Sequence, residues 1–211
     1  AAPPNPSYWS VHSRSTRYTD MTDAAIAQDM NDLLETLARE SDRGLVLAGC
    51  SALDEALAAL IRARLVEDNA VLGRLMDSDR PLGTFSSRIN LAYLLGLIDK
   101  TELQELDLLR RIRNDCAHQR GTIDLSRPPF ADRIREFRSL SRSLENLEAF
   151  TRNKVTAQGR EARSQLLMAI GFLYVWITSR TRSTVRLEAP DRASEIQAHI
   201  AHPDILGSRA V

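Results

Sequence analysis

The chain has 211 residues, of which 43% are hydrophobic and 27% are charged. That length and composition exclude an intrinsically disordered chain and suffice for one folded domain with extensions. The formal net charge is zero, which excludes a global electrostatic attraction to nucleic acid or to an anionic membrane and leaves only local charged surfaces.

The first 20 residues are rich in proline, serine and threonine and show no helical or strand period. This composition predicts a flexible N-terminal arm over residues 1–21. Met21 would make sense as a natural start, which leaves open whether residues 1–20 are native. From residue 22 to residue 183 nearly every stretch has a helical period, which predicts a single all-α helical bundle of about six to eight helices.

Apolar residues repeat every three to four positions over residues 26–37, which predicts a first helix. A second predicted helix of about seven turns follows Ser41. Its broad apolar face, with a line of alanines, favours a central position and a close neighbour. A short segment at residues 71–76 leads to a proline–glycine break, after which Thr84 is predicted to cap a helix over residues 85–95.

The next predicted helix carries the most unusual stretch of the chain. Its start is predicted at a capping box, in which Thr101 and Gln104 satisfy each other's backbone amides. The helix continues through RRIRNDCAHQR at residues 110–120, which holds four arginines around one asparagine, one cysteine and one histidine. Beyond His118, Gly121 and two consecutive prolines predict a loop.

The remaining pattern is again helical. Residues 131–150 predict one or two amphipathic helices, and residues 160–182 predict a long helix whose middle is apolar nearly all round. Such a helix lies in the core or at a subunit contact, which favours a homodimer. The final stretch is polar, and we predict a C-terminal tail over residues 184–211 with a short helix near residues 193–201.

The sequence offers no sign of a metal site or a cofactor. Cys50 and Cys116 lie in apolar helical patterns without metal-ligand spacing, so both are predicted to be buried free thiols. His199 and His202 lie in the tail, and no carboxylate–histidine cluster supports them. There is no signal peptide and no apolar run near the roughly 20 residues needed to cross a bilayer, which predicts a cytoplasmic protein with no membrane partner.

Helical geometry divides residues 108–118 into separate faces. The predicted core face comprises Leu108, Leu109, Ile112 and Cys116. A second stripe, formed by Arg111, Asn114 and His118, is predicted to meet solvent or a ligand. Arg113 points elsewhere, because a separation of five residues rotates it by about 140° from His118. One continuous helix therefore cannot direct both side chains at one atom, unless it unwinds near His118 or the same helix of a second subunit supplies one of them.

Histidine transfers protons near neutral pH, and the planar guanidinium of arginine binds phosphate oxygens. A catalytic site here would cleave RNA without metal, with His118 as general acid or base, Arg113 on the phosphate and Asn114 orienting both. Alternatively, Asn114 and His118 only cap the last helical turn, so whether the chain is an enzyme stays open. Further candidate binding residues are Arg88, Arg110, Arg111 and Arg120.

Three blocks of the chain resemble successive blocks of the mannitol operon repressor family, the MltR-like proteins. They are ESDRGLVLAGCSALDEAL at residues 40–57, RPLGTFSSRINLAYLLGLI at 80–98 and LLRRIRNDCAH at 108–118. The resemblance extends over about residues 40–137 and implies an all-helical bundle and a role in repression. Within the first block, residues 41–44 are predicted to form a polar network at a helix entry.

The MltR-like family is not known for a clear DNA-reading helix-turn-helix, and the sequence agrees. No predicted helix pair has a short glycine-containing turn followed by an exposed polar helix, which reading of the major groove requires. The resemblance therefore implies a cytoplasmic helical regulator that acts by protein–protein association, with a protein partner that the sequence does not identify. Sequence-specific reading of DNA is not expected.

The segment from Arg113 to His118 also resembles the R-x-x-x-x-H motif of the HEPN superfamily. These are helical bundles named for nucleotide binding, and many are ribonucleases. In that superfamily the site forms across a two-fold dimer, which would resolve the geometric conflict within one helix. This resemblance implies an alternative function as a metal-independent endoribonuclease or RNA-binding protein, with Arg113, Asn114 and His118 at a dimer interface.

Overall fold

The computed structural model describes residues 22–138 and 162–191, and within them the chain forms seven helices and no strand. The helices are α1 (Asp23–Ala38), α2 (Asp42–Arg64), α3 (Asn69–Met76), α4 (Phe85–Leu94), α5 (Lys100–His118), α6 (Phe130–Ile134) and α7 (Ala162–Ser183). The predicted all-α fold is confirmed. The predicted arm over residues 1–21 and the predicted helix near residues 193–201 lie outside the described residues.

Helix α2 lies at the centre of the bundle and contacts α1, α4, α5 and α7. Twelve of its 23 residues are buried, and each buried leucine or isoleucine stabilises the fold by roughly 2 kcal/mol. A Cβ atom at Gly49 would lie 2.6 Å from Cδ1 of Ile170 in α7, so only glycine permits this close approach. In the described part of the chain α2 is the one helix long and apolar enough to cross a membrane, and most of its apolar window is buried against the other helices.

Contacts at the helix ends show the relative directions of α2, α5 and α7. Asp42 at the start of α2 pairs with Arg163 at the start of α7 at 2.5 Å. The backbone N–H of Leu187, just after α7, donates to the carbonyl of Arg64 at the end of α2 at 2.7 Å. Helix α7 is therefore parallel to α2, whereas α5 is antiparallel because Arg43 contacts the end of α5.

The bundle has an upper and a lower end. The upper end contains residues 41–44 at the start of α2, residues 116–121 at the end of α5, and the start of α7. The lower end contains residues 64–67 at the end of α2 and residues 183–187 at the end of α7.

The start of α5 differs from the prediction. The helix begins at Lys100, and the Asp99 carboxylate accepts the N–H of Glu102 at 2.8 Å while the Glu102 carboxylate accepts the N–H of Asp99 at 2.7 Å. The predicted capping box at residues 101–104 is wrong, because the helix already begins at Lys100 with Asp99 as its N-cap, and the negative charge of Asp99 suits a helix N-terminus. Arg180 of α7 also donates to Glu102, which ties the cap to the core.

Most other boundaries agree with the predictions. Thr22, Ser41 and Thr84 cap α1, α2 and α4, each accepting the backbone N–H three residues later. The helical stretch predicted over residues 131–150 is interrupted, because α6 ends at Ile134 and a turn follows. The part of that stretch from residue 139 onward lies outside the described residues.

Candidate functional site

Helix α5 is one unbroken helix through His118, and Gln119 is its C-cap. The predicted core face is confirmed, since Leu108, Leu109, Ile112 and Cys116 are all buried. Arg111 and His118 are exposed and Asn114 is partly exposed. The structure therefore brings Arg111, Asn114 and His118 to the surface of α5 as one stripe.

Arg113 lies on a different side of α5 from that stripe. Its guanidinium donates to Oδ1 of Asn114 at 3.3 Å and lies toward Asp54 of α2. Burial raises the pKa of Asp54, and the positive charges of Arg88 and Arg113 oppose that rise. Because α5 stays regular, Arg113 and His118 of one chain remain about 140° apart around the helix axis.

Two of the predicted binding residues are engaged inside the protein. The Arg88 guanidinium lies 2.8 Å from the Asp54 carboxylate, and its side chain is only 12% exposed. It also donates to two backbone carbonyls, each at 2.9 Å. Arg110 pairs with Asp107 on α5 at 2.9 Å. These contacts favour structural roles, because an anion would have to compete with partners already in place.

The arginines near the upper end differ in whether they have a carboxylate partner. The local ion pairs are Arg127–Asp124, Arg133–Asp115 and Arg135–Asp132. Arg111, His118 and Arg120 form no ion pair with another described residue. An anionic ligand would therefore meet unpaired positive charge at Arg111 and Arg120, and the binding role of Arg111, His118 and Arg120 stays a prediction.

The end of α5 is held by Arg43 of α2. Its guanidinium donates to the backbone carbonyls of Cys116, Gln119 and Gly121, the last two at 2.6 and 2.9 Å. The last carbonyls of a helix have no donor within the helix, and a cation there also complements the helix dipole. Arg43 thus sets the path of the backbone on both sides of Arg120.

Asp42, the neighbour of Arg43, extends this network. Its carboxylate accepts the N–H of Leu125 at 2.8 Å and pairs with Arg163 at 2.5 Å. Arg163 in turn donates to the carbonyl of Ala38, the last residue of α1, at 3.1 Å and to that of Glu40 at 2.6 Å. The polar network predicted at residues 41–44 is confirmed, and it joins four segments of the chain.

The two cysteines are buried free thiols, as predicted. Burial raises the pKa of the Cys50 thiol to about 12, against an opposing effect of the Arg113 charge. Burial likewise raises the pKa of Cys116 to about 11, opposed by Arg43. Both thiols therefore stay protonated and unreactive near neutral pH. Within the described residues no group of histidine, cysteine or carboxylate side chains could hold a metal ion.

Several large hydrophobic side chains are exposed, which the sequence did not reveal. The exposed large hydrophobic side chains among the described residues are Val66, Val71, Leu75, Tyr93, Leu94, Val185 and Leu187. They come from three separate segments. Residues 185–187 lie at the lower end beside Arg64, whereas Leu75 lies level with the middle of α2, because Arg88 donates to the neighbouring Met76 carbonyl and pairs with Asp54. The one local signal was the pair Val71 and Leu75, four residues apart on α3 and so on one side of that helix.

The chain matches a family model described as mannitol repressor over residues 29–179. The mannitol operon repressor of Escherichia coli strain K12 is 31% identical over 93 residues, which are 42% of this chain and 48% of that protein. The repressor of Escherichia coli strain CFT073 gives the same values. The matched part spans about half the length of these curated relatives.

Two solved structures share the fold. A chain in the X-ray structure of the MtlR-HPr complex from Escherichia coli aligns with 71% of this chain and 98% of its own length, with a TM-score of 0.56 and 22% identity. A possible transcriptional regulator, YggD from Shigella flexneri, aligns over 72% and 96%, with a TM-score of 0.54 and 17% identity. The family model covers well over half of the chain and includes all three blocks of the sequence, so the protein belongs to the mannitol repressor family.

Proposed function

We propose that the protein is a cytoplasmic regulator that acts by binding another protein, without reading a DNA sequence itself. The observation that carries this proposal is the shared fold with a repressor of the same family name that was solved as a complex with the protein HPr. An HPr-type protein is the partner that we propose. Exposed apolar side chains, among them Leu94 and Val185, support a role in protein association.

The geometry of α4 and α5 supports regulation without direct DNA reading. These helices are joined by a turn in which Gly96 has φ of 68°, as in some helix-turn-helix proteins. A recognition helix presents its first turns to the major groove. The first two turns of α5 bury Glu102 and Glu105, each 3% exposed, and expose Lys100 and Gln104, so they would present one positive charge to DNA.

The proposal predicts direct binding to HPr. We expect the purified protein to bind purified HPr of the same organism with a dissociation constant on the order of 10 μM, typical of a transient regulatory contact. Isothermal titration calorimetry measures the affinity, and an unrelated protein of similar size and charge is the control. Absence of binding at concentrations of about 100 μM, together with retardation of operator DNA by the protein alone, would contradict the proposal.

The upper end favours a second candidate function, a metal-independent endoribonuclease or RNA-binding protein. His118 and Arg120 are exposed there, and Arg111 is exposed two turns earlier on α5, all without carboxylate partners among the described residues. Because α5 is unbroken, Arg113 could act with a His118 only if a second copy supplied the histidine. This candidate therefore requires a homodimer, with His118 as general acid or base and Asn114 as the orienting residue.

The RNA candidate predicts cleavage of single-stranded RNA in excess chelator. Arg113→Ala and His118→Ala should each slow cleavage about 100-fold or more, since each would remove one part of the chemistry. Arg74→Ala is the matched control, because Arg74 is an exposed arginine on α3, away from α5. Cleavage is followed on denaturing gels and the oligomeric state by light scattering. Equal cleavage by all variants would identify a contaminating nuclease and remove this candidate.

A further inference from the structure

We propose that one apolar face of α7 is the docking surface for the chain's own connecting segment, residues 139–161, which lie outside the described residues. This α7 face comprises Met168, Phe172, Val175 and Trp176. The inference goes beyond the proposed function and does not depend on it. It assigns to α7 an occupant from the same chain, where the apolar sequence of this helix favoured a second subunit.

The sides of α7 that lie toward α1 and α2 are already occupied. A Cβ atom at Gly171 would lie 3.0 Å from Leu34 of α1, and Ile170 packs against Gly49 of α2. Successive residues of a helix are separated by about 100° around its axis. The α7 face therefore lies on the side that is turned away from both of these contacts.

The α7 face is apolar and uncharged. Between Arg163 and Arg180, residues 164–179 contain no charged side chain. The four side chains of the face are partly exposed. The rings of Phe172 and Trp176 stack with their centroids 6.2 Å apart, so they form one continuous apolar patch. An apolar helix face of this kind is normally covered by another element in a folded protein.

The connecting segment leaves the described part of the chain near the lower end of α7. The N–H of Arg138 donates to Oε1 of Glu105 at 2.8 Å, in the second turn of α5. Glu102, one turn earlier, is bound by Arg180 of α7. The chain returns at Ala162, where α7 begins at the upper end. The segment therefore runs back along α7 over about 20–25 Å.

The described helices leave the α7 face open along this route. Helix α6 contacts α7 only at its first turns, where Ala131 and Gln165 line a common cavity. Trp176 lies about 16 Å further along α7 than Gln165, whereas α6 has five residues and is only about 7 Å long. With α1 and α2 on the other sides, the α7 face is the surface that the returning segment meets.

The sequence of the segment suits an apolar helix face. Leu140, Leu144 and Leu147 recur at spacings of four and three residues, as on one side of an amphipathic helix. The side chains that fall on the opposite side of such a helix are Arg142, Glu145 and Asn146. A helix over residues 139–150 would be about 18 Å long. It would match the length of the α7 face and keep its charged side chains in solvent.

A second copy of the chain is the competing occupant of the α7 face. It would have to displace a segment that is covalently attached at both of its ends. A short tether gives an effective concentration in the millimolar range, which exceeds a micromolar concentration of a second copy. The apolar sequence of α7 then no longer favours a homodimer. An RNA site built from two copies would have to form through another surface.

The fluorescence of Trp176 tests this contact directly. The chain has two tryptophans, so Trp9→Phe leaves Trp176 as the only one. In that background, Leu144→Asp and Leu147→Asp should each increase quenching by acrylamide about twofold or more, because a charge buried against the α7 face opens the contact. Asn146→Asp is the matched control. It adds the same charge on the opposite side of the segment and should change quenching by about a fifth or less.

The outcomes distinguish the two occupants. Unchanged quenching in both leucine variants would overturn the inference, and so would an equal increase in Asn146→Asp. Circular dichroism checks folding, and Leu147→Ala repeats the test without a new charge if an aspartate variant unfolds. Quenching in the Trp9→Phe protein should be the same at about 1 and 100 μM. Quenching that falls as the concentration rises, with a doubled mass in light scattering, would assign the α7 face to a second copy and overturn the inference.

Discussion

Replacing Arg43 with methionine should lower the free energy of unfolding by about 3 kcal/mol. The guanidinium donates to three backbone carbonyls at the end of α5. Methionine fills a similar volume but donates nothing, so these carbonyls lose a charged partner and the end of α5 loses its connection to α2. The free energy of unfolding of Arg43→Lys should lie between those of wild type and Arg43→Met, because an ammonium group is charged but lacks the planar guanidinium that reaches several acceptors.

Urea unfolding followed by circular dichroism measures this effect. The matched control is Arg39→Met, which removes an arginine that is 82% exposed and lies 3.6 Å from Glu35 in a surface pair. That change should cost about 0.5 kcal/mol or less, because exposed ion pairs contribute little. Equal stability of the Arg43→Met and Arg39→Met variants would show that the contacts of Arg43 add nothing beyond those of a surface arginine.

Gly83→Ala should also destabilise the fold by about 3 kcal/mol, at the upper limit for a side chain forced into packed space. A Cβ atom at this position would lie 2.2 Å from the carbonyl oxygen of Asp77 and 2.6 Å from that of Ser78. Those atoms are backbone, and the loop cannot easily move away. The N–H of Gly83 donates to the carbonyl of Arg80, and the N–H of Leu82 donates to that of Leu75, both at 2.8 Å.

The control for this prediction is a glycine-to-alanine change that should raise stability. Gly73 lies inside α3, and the nearest atom to an added Cβ is 3.8 Å away. Gly73→Ala should therefore stabilise the protein by about 0.5–1 kcal/mol, since alanine has the higher helix propensity. Thermal unfolding measures both effects, and the midpoint should fall in Gly83→Ala and rise in Gly73→Ala. A Gly83→Ala variant as stable as wild type would show that the loop adjusts at no cost.

Several features of the candidate site could be predicted from α5 alone. A regular helix turns each residue by about 100°, so the buried face with Ile112 and Cys116 and the exposed stripe with Arg111 and His118 followed from their spacing. The separation of Arg113 from His118 followed in the same way. The predicted capping box was wrong because two overlapping cap sequences begin within three residues of each other, and the charge of Asp99 decides between them.

The sequence by itself determined the all-α class, most helix boundaries and the family, because helical periodicity and sequence blocks are local properties. Only the tertiary structure decided which arginines have partners and which surface remains apolar. Arg88 is held by Asp54, and Arg43 by the end of α5, through contacts between residues far apart in the chain. Which large apolar side chains stay exposed, such as Leu94 and Val185, likewise depends on how the helices pack. Partners and exposed surfaces depend on distances between segments, and the order of residues along a chain does not specify those distances.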